Sequence, residues 1–294
     1  GRLLTSNTDE SLKIKALKQV VENKSFSNSN TLNNSPFNYY PDYNNKKFNE
    51  IIFNKREFNI TKSKKLDSSL SIDELTSMLC QFKLSNNQKF LKTYISEETP
   101  YNGILLYHGT GVGKTCSSIS IAENFKETIM NSNRKIVVLL NPSIKTNFIK
   151  NIFNIEKLKQ QKVNDQCTKD AFLKEAHITS IKKGNYDAYN KKIMKIIQSR
   201  YSFYGYIEFS NKIEKIKTEL QNVFGDRWEL MFKKKLKEMF SYTVFIIDEV
   251  HNIKESTDSK LLPKHLKLIL SVTVQLKLIL LSATPMFDKS VEIL

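Results

Sequence analysis

The sequence predicts an α/β fold in which helices cover both faces of a parallel sheet. Four short apolar runs, residues 103–107, 135–140, 243–247 and 277–281, read as buried strands. Residues 114–130, between the first two, carry a helical pattern, and strand–helix–strand at this spacing is the order of a parallel sheet. Polar residues follow the strands directly: a Gly-rich loop after Tyr107, Asn141-Pro142-Ser143 after Leu140, Asp248 after Ile247, and Ser282 after Leu281. Open parallel sheets bind ligands beyond the carboxyl ends of their strands, so these positions mark one working edge.

The elements follow in chain order. Residues 1–35 are polar and Ser/Asn-rich apart from a helical pattern at 11–23, and read as a disordered or loosely docked arm. Residues 36–71 space aromatic rings (Phe37, Tyr39, Tyr40, Tyr43, Phe48, Phe53, Phe58) among Lys and Asn. Such rings can stack on bases, or pack an extended arm on the next domain. The core domain is expected over 72–294. Its segment 150–241 is Lys-rich with helical patterns, for example at 187–200 and 212–221, and reads as an insertion. Its charge is either a solvated helical face or a basic contact for duplex DNA or a polymerase. The apolar window 266–283 is interrupted by Lys267, Gln275 and Lys277, so it reads as core rather than a membrane span. No secretory signal is recognisable. The chain opens on Gly1 and stops at Ile293-Leu294, and is expected to be a fragment of something longer.

Net charge is +16 over 294 residues. That suits a polyanionic partner. It also suits the composition bias of an AT-rich genome, because only five of the 46 basic residues are Arg and the chain is rich in Asn and Ile. Cys80, Cys116 and Cys167 show no metal-ligand spacing, and free thiols in a reducing compartment are expected.

The stretch YHGTGVGKTC, residues 107–116, carries the main chemistry. The usual phosphate loop is Gly, four residues, then Gly-Lys-Ser/Thr; here His108 holds the first Gly slot. That slot lies where strand meets loop, before the nest. Gly109, Gly111 and Gly113 allow positive φ, and with Thr110 and Val112 they can turn successive N–H groups onto a phosphate. The helix that follows adds its partial positive end, with Cys116 in its first turn. Lys114 can reach β- and γ-phosphates, and the Thr115 hydroxyl can hold Mg²⁺. VFIIDEVHN, residues 244–252, puts two carboxylates after a strand. Asp248 is expected to hold Mg²⁺ through water, and Glu249 to orient and deprotonate the attacking water. His251 either links the nucleotide to another surface or caps the next loop. In LLSATPM, residues 280–286, Ser282 and Thr284 are hydroxyls able to bond the Asp-Glu-Val-His segment and report hydrolysis.

Gly-Thr-Gly-Val-Gly-Lys-Thr, Asp-Glu-Val-His and Ser-Ala-Thr, in that order, resemble motifs I, II and III of superfamily 2 helicases. Those are ATP-driven motors with two RecA-like lobes, so the resemblance implies a RecA-like first lobe, with ATP and Mg²⁺ as cofactors. Residues 88–125, together with 40–58, 164–172 and 201–211, look like helicases of nucleocytoplasmic large DNA viruses, a group that includes the small subunit of the poxvirus early transcription factor and nucleoside triphosphatase I. A Tyr-His-Gly opening of the phosphate loop fits that group.

By resemblance, Gln88 corresponds to the Gln that reads adenine, although it reads equally as an exposed helix residue. Asn141, Pro142 and Ser143 sit where motif Ia contacts the nucleic-acid backbone, and Lys145 and Asn147 can add phosphate contacts. Tyr206 and Phe209 resemble an aromatic segment near the strand path, or pack in the core. The resemblance implies an ATP-dependent DNA or RNA translocase serving viral transcription, in the virion and the viral factory of the host cytoplasm. Its partners would be nucleic acid and a viral RNA polymerase or transcription factor subunit, with no membrane. The alternative is a nucleotide-switched transcription factor subunit that binds DNA without unwinding it. Arginines of a second lobe would complete the site, so the 294-residue chain alone is expected to hydrolyse ATP poorly.

Overall fold

The computed structural model describes residues 39–62, 85–107, 113–182, 184–253 and 261–283. Two short helices, α1 (Phe48–Asn54) and α2 (Arg56–Asn59), precede α3 (Asn86–Tyr94). Then follow β1 (Gly103–Tyr107), α4 (Lys114–Glu123), α5 (Lys126–Asn131) and β2 (Ile136–Leu139). After these come α6 (Lys145–Ile152), α7 (Ile155–Lys159), α8 (Ala171–Glu175), α9 (Tyr186–Arg200) and β3 (Tyr201–Tyr204). The last described elements are α10 (Tyr206–Phe224), α11 (Trp228–Phe240), β4 (Val244–Ile247), α12 (Leu261–Val272) and β5 (Lys277–Ser282).

The five strands form one sheet in the order β1-β5-β4-β2-β3, and each pairing is parallel. The chain is therefore an α/β protein with a parallel sheet of the kind a RecA-like lobe requires. Alternate residues along β2, β4 and β5 feed two separate cores, as strands covered on both faces must, whereas β1 buries one face and leaves Leu105 and Tyr107 exposed. Ile136, Val138, Val244, Ile246, Ile279 and Leu281 face α4–α6 and α9. Val137, Leu139, Phe245 and Ile247 face α10, α11 and α12. The register aligns Tyr107 with Ser282 and Leu139 with Ile247, so the carboxyl ends of the strands finish side by side.

Three features differ from the sequence expectation. First, the segment 150–241 is helical but also supplies the edge strand β3. Second, the helix expected over 114–130 is two helices, interrupted at Asn124-Phe125, where Phe125 turns into the core. Third, Cys116 and Cys167 are not free thiols: they form a disulfide, with Cα atoms 5.2 Å apart. The segment that carries Cys167 returns to the first turn of α4, bringing together cysteines 51 positions apart. Cysteine usage therefore gives no argument for a reducing compartment. Cys80, Phe37 and the helical pattern at 11–23 lie outside the described residues.

Rings that precede the sheet pack on it. Tyr101 is buried and meets Tyr40, Tyr43, Phe48 and Tyr94 at centroid distances of 5.9, 5.3, 5.6 and 4.5 Å. Its hydroxyl donates to the Pro41 carbonyl at 3.0 Å. Lys55 lies 3.1 Å from the centroid of the Tyr39 ring, a cation–π contact. Among the described residues no helix is long and apolar enough to cross a membrane, and no cluster of His, Cys, Asp or Glu could hold a metal ion unaided.

Candidate nucleotide site

The site forms where β1, β4 and β5 end. Gly113 is the cap residue that starts α4, with φ +88°. An L-residue is strained there, whereas Gly adopts this conformation freely. A Cβ on Gly113 would also lie 3.2 Å from Gln88 Nε2. Gln88 is held in place by a capping box at the start of α3: its amide N–H donates to Ser85 Oγ at 3.2 Å, and its Oε1 accepts from Ser85 N–H at 2.9 Å. With Oε1 engaged, Nε2 remains directed at the loop. The structure thus brings Gln88 against Gly113, a closeness that sequence spacing alone does not reveal.

Lys114, Thr115 and Cys116 form the first turn of α4. Lys114 Nζ is buried and, among the described residues, has no hydrogen-bond partner. Cys116 is buried and tied to Cys167, so its side chain braces the helix. Gly109, Thr110, Gly111 and Val112 lie outside the described residues, as does Thr284.

Asp248 follows β4 and is 8% exposed. Its N–H donates to the Leu139 carbonyl at 2.9 Å, which continues the ladder one residue past the strand. Burial, reinforced by the charge of Glu249, pushes its carboxyl above the usual range, while the Glu249 N–H and Lys114 pull the other way. Glu249 adopts φ +47°, ψ +55°, a left-handed conformation uncommon for a side chain of this size. Its Oε2 is buried and, among the described residues, makes no hydrogen bond, lying 3.3 Å from His251 Nδ1. His251 Nδ1 is 2.9 Å from Ser282 Oγ at the end of β5. Ser282 is fully buried.

An ammonium and a carboxylate oxygen, both buried and both lacking hydrogen bonds among the described residues, are costly unless something else satisfies them. A triphosphate with Mg²⁺ would supply what is missing: anionic oxygens for Lys114 and positive charge for the carboxylates of Asp248 and Glu249. The residues present fit that group.

Asn141, Pro142, Ser143 and Lys145 lie beyond β2 and are exposed. The Asn141 side chain accepts from Ser143 N–H at 3.1 Å and caps a short 3₁₀ turn. Lys145, the first residue of α6, has its ammonium 5.8 Å from the centroid of Phe203. Phe209 is a core residue at 0% exposure, which answers the alternative left open for it. Tyr206 is half-buried and reaches the Asp248 carbonyl, a contact that sequence patterns do not signal.

A family model described as "Type III restriction enzyme, res subunit" matches residues 72–287. The chain belongs to this family. Its curated relatives include two mimivirus proteins (Acanthamoeba polyphaga mimivirus). One, "Putative ATP-dependent RNA helicase L377", is 30% identical over 84% of this chain and 22% of its own length. The other, "Putative ATP-dependent RNA helicase R563", is 33% identical over 70% of this chain and 30% of its own length. "Putative helicase 087L" of Invertebrate iridescent virus 3 is 26% identical over 71% of this chain and 19% of its own length. The chain spans less than a third of the length of these relatives.

Proposed function

We propose that this chain is the ATP-binding lobe of a superfamily 2 helicase or translocase that couples ATP hydrolysis to movement on RNA or DNA. The observation that carries the reading is a pair of buried atoms at one sheet edge, Lys114 Nζ and Glu249 Oε2, that have no hydrogen bond among the described residues, beside the buried carboxylate of Asp248. The helicase names of the relatives support it.

Bound ATP with Mg²⁺ supplies the cleavable γ-phosphoryl group and neutralises the charge that develops on it. Lys114 would bind the β- and γ-phosphates, and Gly109–Gly113 would wrap them with backbone N–H groups. The Thr115 hydroxyl and Asp248 would hold the metal, Asp248 through water. Glu249 would orient a water molecule and take its proton at the carboxylate. Gln88 would contact the adenine. His251 and Ser282, already 2.9 Å apart, would carry the state of Glu249 to the end of β5, with Thr284 following. Pro142, Ser143 and Lys145 would meet the nucleic-acid backbone on the exposed ridge beyond β2.

The finer placement is beside the poxvirus early transcription factor small subunit and nucleoside triphosphatase I. It implies a viral protein of the virion or viral factory that works with RNA polymerase, and rests on the motifs and flanking stretches named above. A nucleotide-switched transcription factor subunit that does not unwind is the second reading, supported by the same motifs. On either reading the 294-residue chain alone turns over ATP slowly, because the second lobe's arginines are needed.

Lys114→Ala in the full-length protein tests the nucleotide site: triphosphate binding, followed with a fluorescent ATP analogue, is expected to vanish. Undiminished binding would end the reading. A strand-displacement assay separates the motor from the switch.

A further inference from the structure

We infer that Tyr206 is a positioning residue that fixes the peptide plane between Asp248 and Glu249 and ties it to the nucleic-acid ridge. The inference rests on the reading of Glu249 as the hydrolytic base.

Glu249 sits in left-handed backbone. A non-Gly residue holds that conformation only where its surroundings enforce it. The peptide that leads into it is pinned at both ends. Its N–H, on Glu249, donates to Asp248 Oδ1 at 3.0 Å. Its carbonyl, on Asp248, accepts from the Tyr206 hydroxyl. Rotation of this plane would swing the Glu249 side chain, so the two hydrogen bonds together set where the carboxylate points.

The other end of the connection is equally close. Tyr206 opens α10, directly after Gly205. A Cβ on Gly205 would lie 3.4 Å from Pro142 Cγ, so this backbone rests on the exposed loop after β2. Gly205 N–H donates to Glu208 Oε2 at 3.0 Å, closing the first turn of α10. The Tyr204 carbonyl accepts from Leu140 N–H at 3.1 Å, and the Leu139 carbonyl accepts from Asp248 N–H at 2.9 Å. Tyr204-Gly205-Tyr206, Leu140-Asn141-Pro142 and Asp248-Glu249 therefore form one hydrogen-bonded strip across the ends of three neighbouring strands. A phosphate backbone that lands on Pro142 and Ser143 presses on Gly205, and its neighbour holds the carbonyl before the base. Both ends bias one element, the 248–249 peptide, as coupling between two sites requires.

The test is Tyr206→Phe in the full-length protein, a change that removes one oxygen and keeps the ring packing. ATP hydrolysis is measured with and without single-stranded RNA, alongside the dissociation constant of a fluorescent, non-hydrolysable ATP analogue and the melting temperature. We expect kcat to fall about three- to tenfold, the scale of one net hydrogen bond. Analogue affinity should stay within about twofold, since a loss confined to kcat leaves ground-state binding intact. The stimulation by RNA, as a ratio, should shrink. Wild-type kcat and wild-type stimulation in the variant would overturn the inference. Parallel losses of affinity, kcat and melting temperature would overturn it too, because they mark a merely structural role. A wild-type protein that hydrolyses no ATP under any condition would instead remove the reading on which the inference rests.

Discussion

Arg200→Met should destabilise the domain strongly, and more so at alkaline than at acid pH. Arg200 ends α9 and is 3% exposed. Its Nη1 pairs with Glu123 Oε2 at 2.6 Å, and its Nη2 with Glu175 Oε1. Glu123 is the last residue of α4, so this cluster anchors the far end of the helix whose first turn carries Lys114 and Thr115. Methionine keeps the length and apolar stem of the side chain but removes both ion pairs. Glu123, whose side chain is 17% exposed, is then left charged and without its arginine. Removing one partner of a buried pair costs about 3–5 kcal/mol. The Tyr201 hydroxyl still donates to Glu123 Oε1 at 2.5 Å, so the lower end, about 3 kcal/mol, applies here. At about 2–4 °C per kcal/mol for a domain of this order, Tm falls by about 6–12 °C.

The pH dependence follows from the sign of the Glu123 shift. Burial holds its carboxyl above the ordinary value, despite Arg200 and Tyr201. A carboxyl raised in the folded state costs nothing below its unfolded value, and costs progressively more as pH rises through the folded one. Loss of Arg200 raises it further. The difference in Tm between wild type and variant should therefore be larger near pH 8 than near pH 5, and Glu123→Gln added to Arg200→Met should restore much of it at pH 8. Thermal melts by circular dichroism at the two pH values read this out. A drop below about 2 °C at pH 8, or a gap that widens in acid, would refute the reasoning.

Glu249→Gln should keep ATP binding but lower kcat by about 10²–10⁴, the usual contribution of a general base; single-turnover hydrolysis at wild-type rate would reassign the base. Lys145→Ala should weaken binding to every nucleic acid alike and reduce the slope of log affinity against log salt by about one, which fluorescence anisotropy across a salt series measures. Lys277 is 3% exposed, its ammonium donating to the Tyr101 carbonyl at 3.1 Å. Burial lowers its pKa to about 8, against a smaller opposing pull from Glu97. A depressed lysine contributes its full stability only above the unfolded value and loses it as pH falls through the folded one. The wild type should therefore gain about 1 kcal/mol from this group between about pH 7 and pH 9. Lys277→Met should flatten that gain in urea melts.

The parts legible in the sequence were those written in contiguous residues. β2, β4 and β5 stood out because strands buried on both faces are nearly continuous apolar runs, as in VFII of β4 and KLILLS of β5, and the half-exposed β1 because its GILLY run leads into a Gly-rich loop. β3 did not, because an edge strand of four residues reading YSFY is only half-buried and borders long helices. The placement of Lys114, Asp248 and Glu249 at one sheet edge was legible because each follows an apolar strand run within a few residues, at the offsets a phosphate-loop pattern has. The cluster of Arg200 with Glu123 and Glu175 was not, since its partners are 77 and 25 positions away. The Cys116–Cys167 pair and the hydroxyl of Tyr206 on the Asp248 carbonyl were hidden for the same reason: each depends on how distant segments return to one sheet edge.

The central claim is that the nucleotide site at that edge drives work on nucleic acid. The most direct test is the ATPase rate of the full-length protein, with and without single-stranded RNA, single-stranded DNA and duplex DNA. The account predicts that one of these raises the rate, and that Lys114→Ala abolishes both the basal and the stimulated activity. A rate that is the same with every nucleic acid and with none would contradict it.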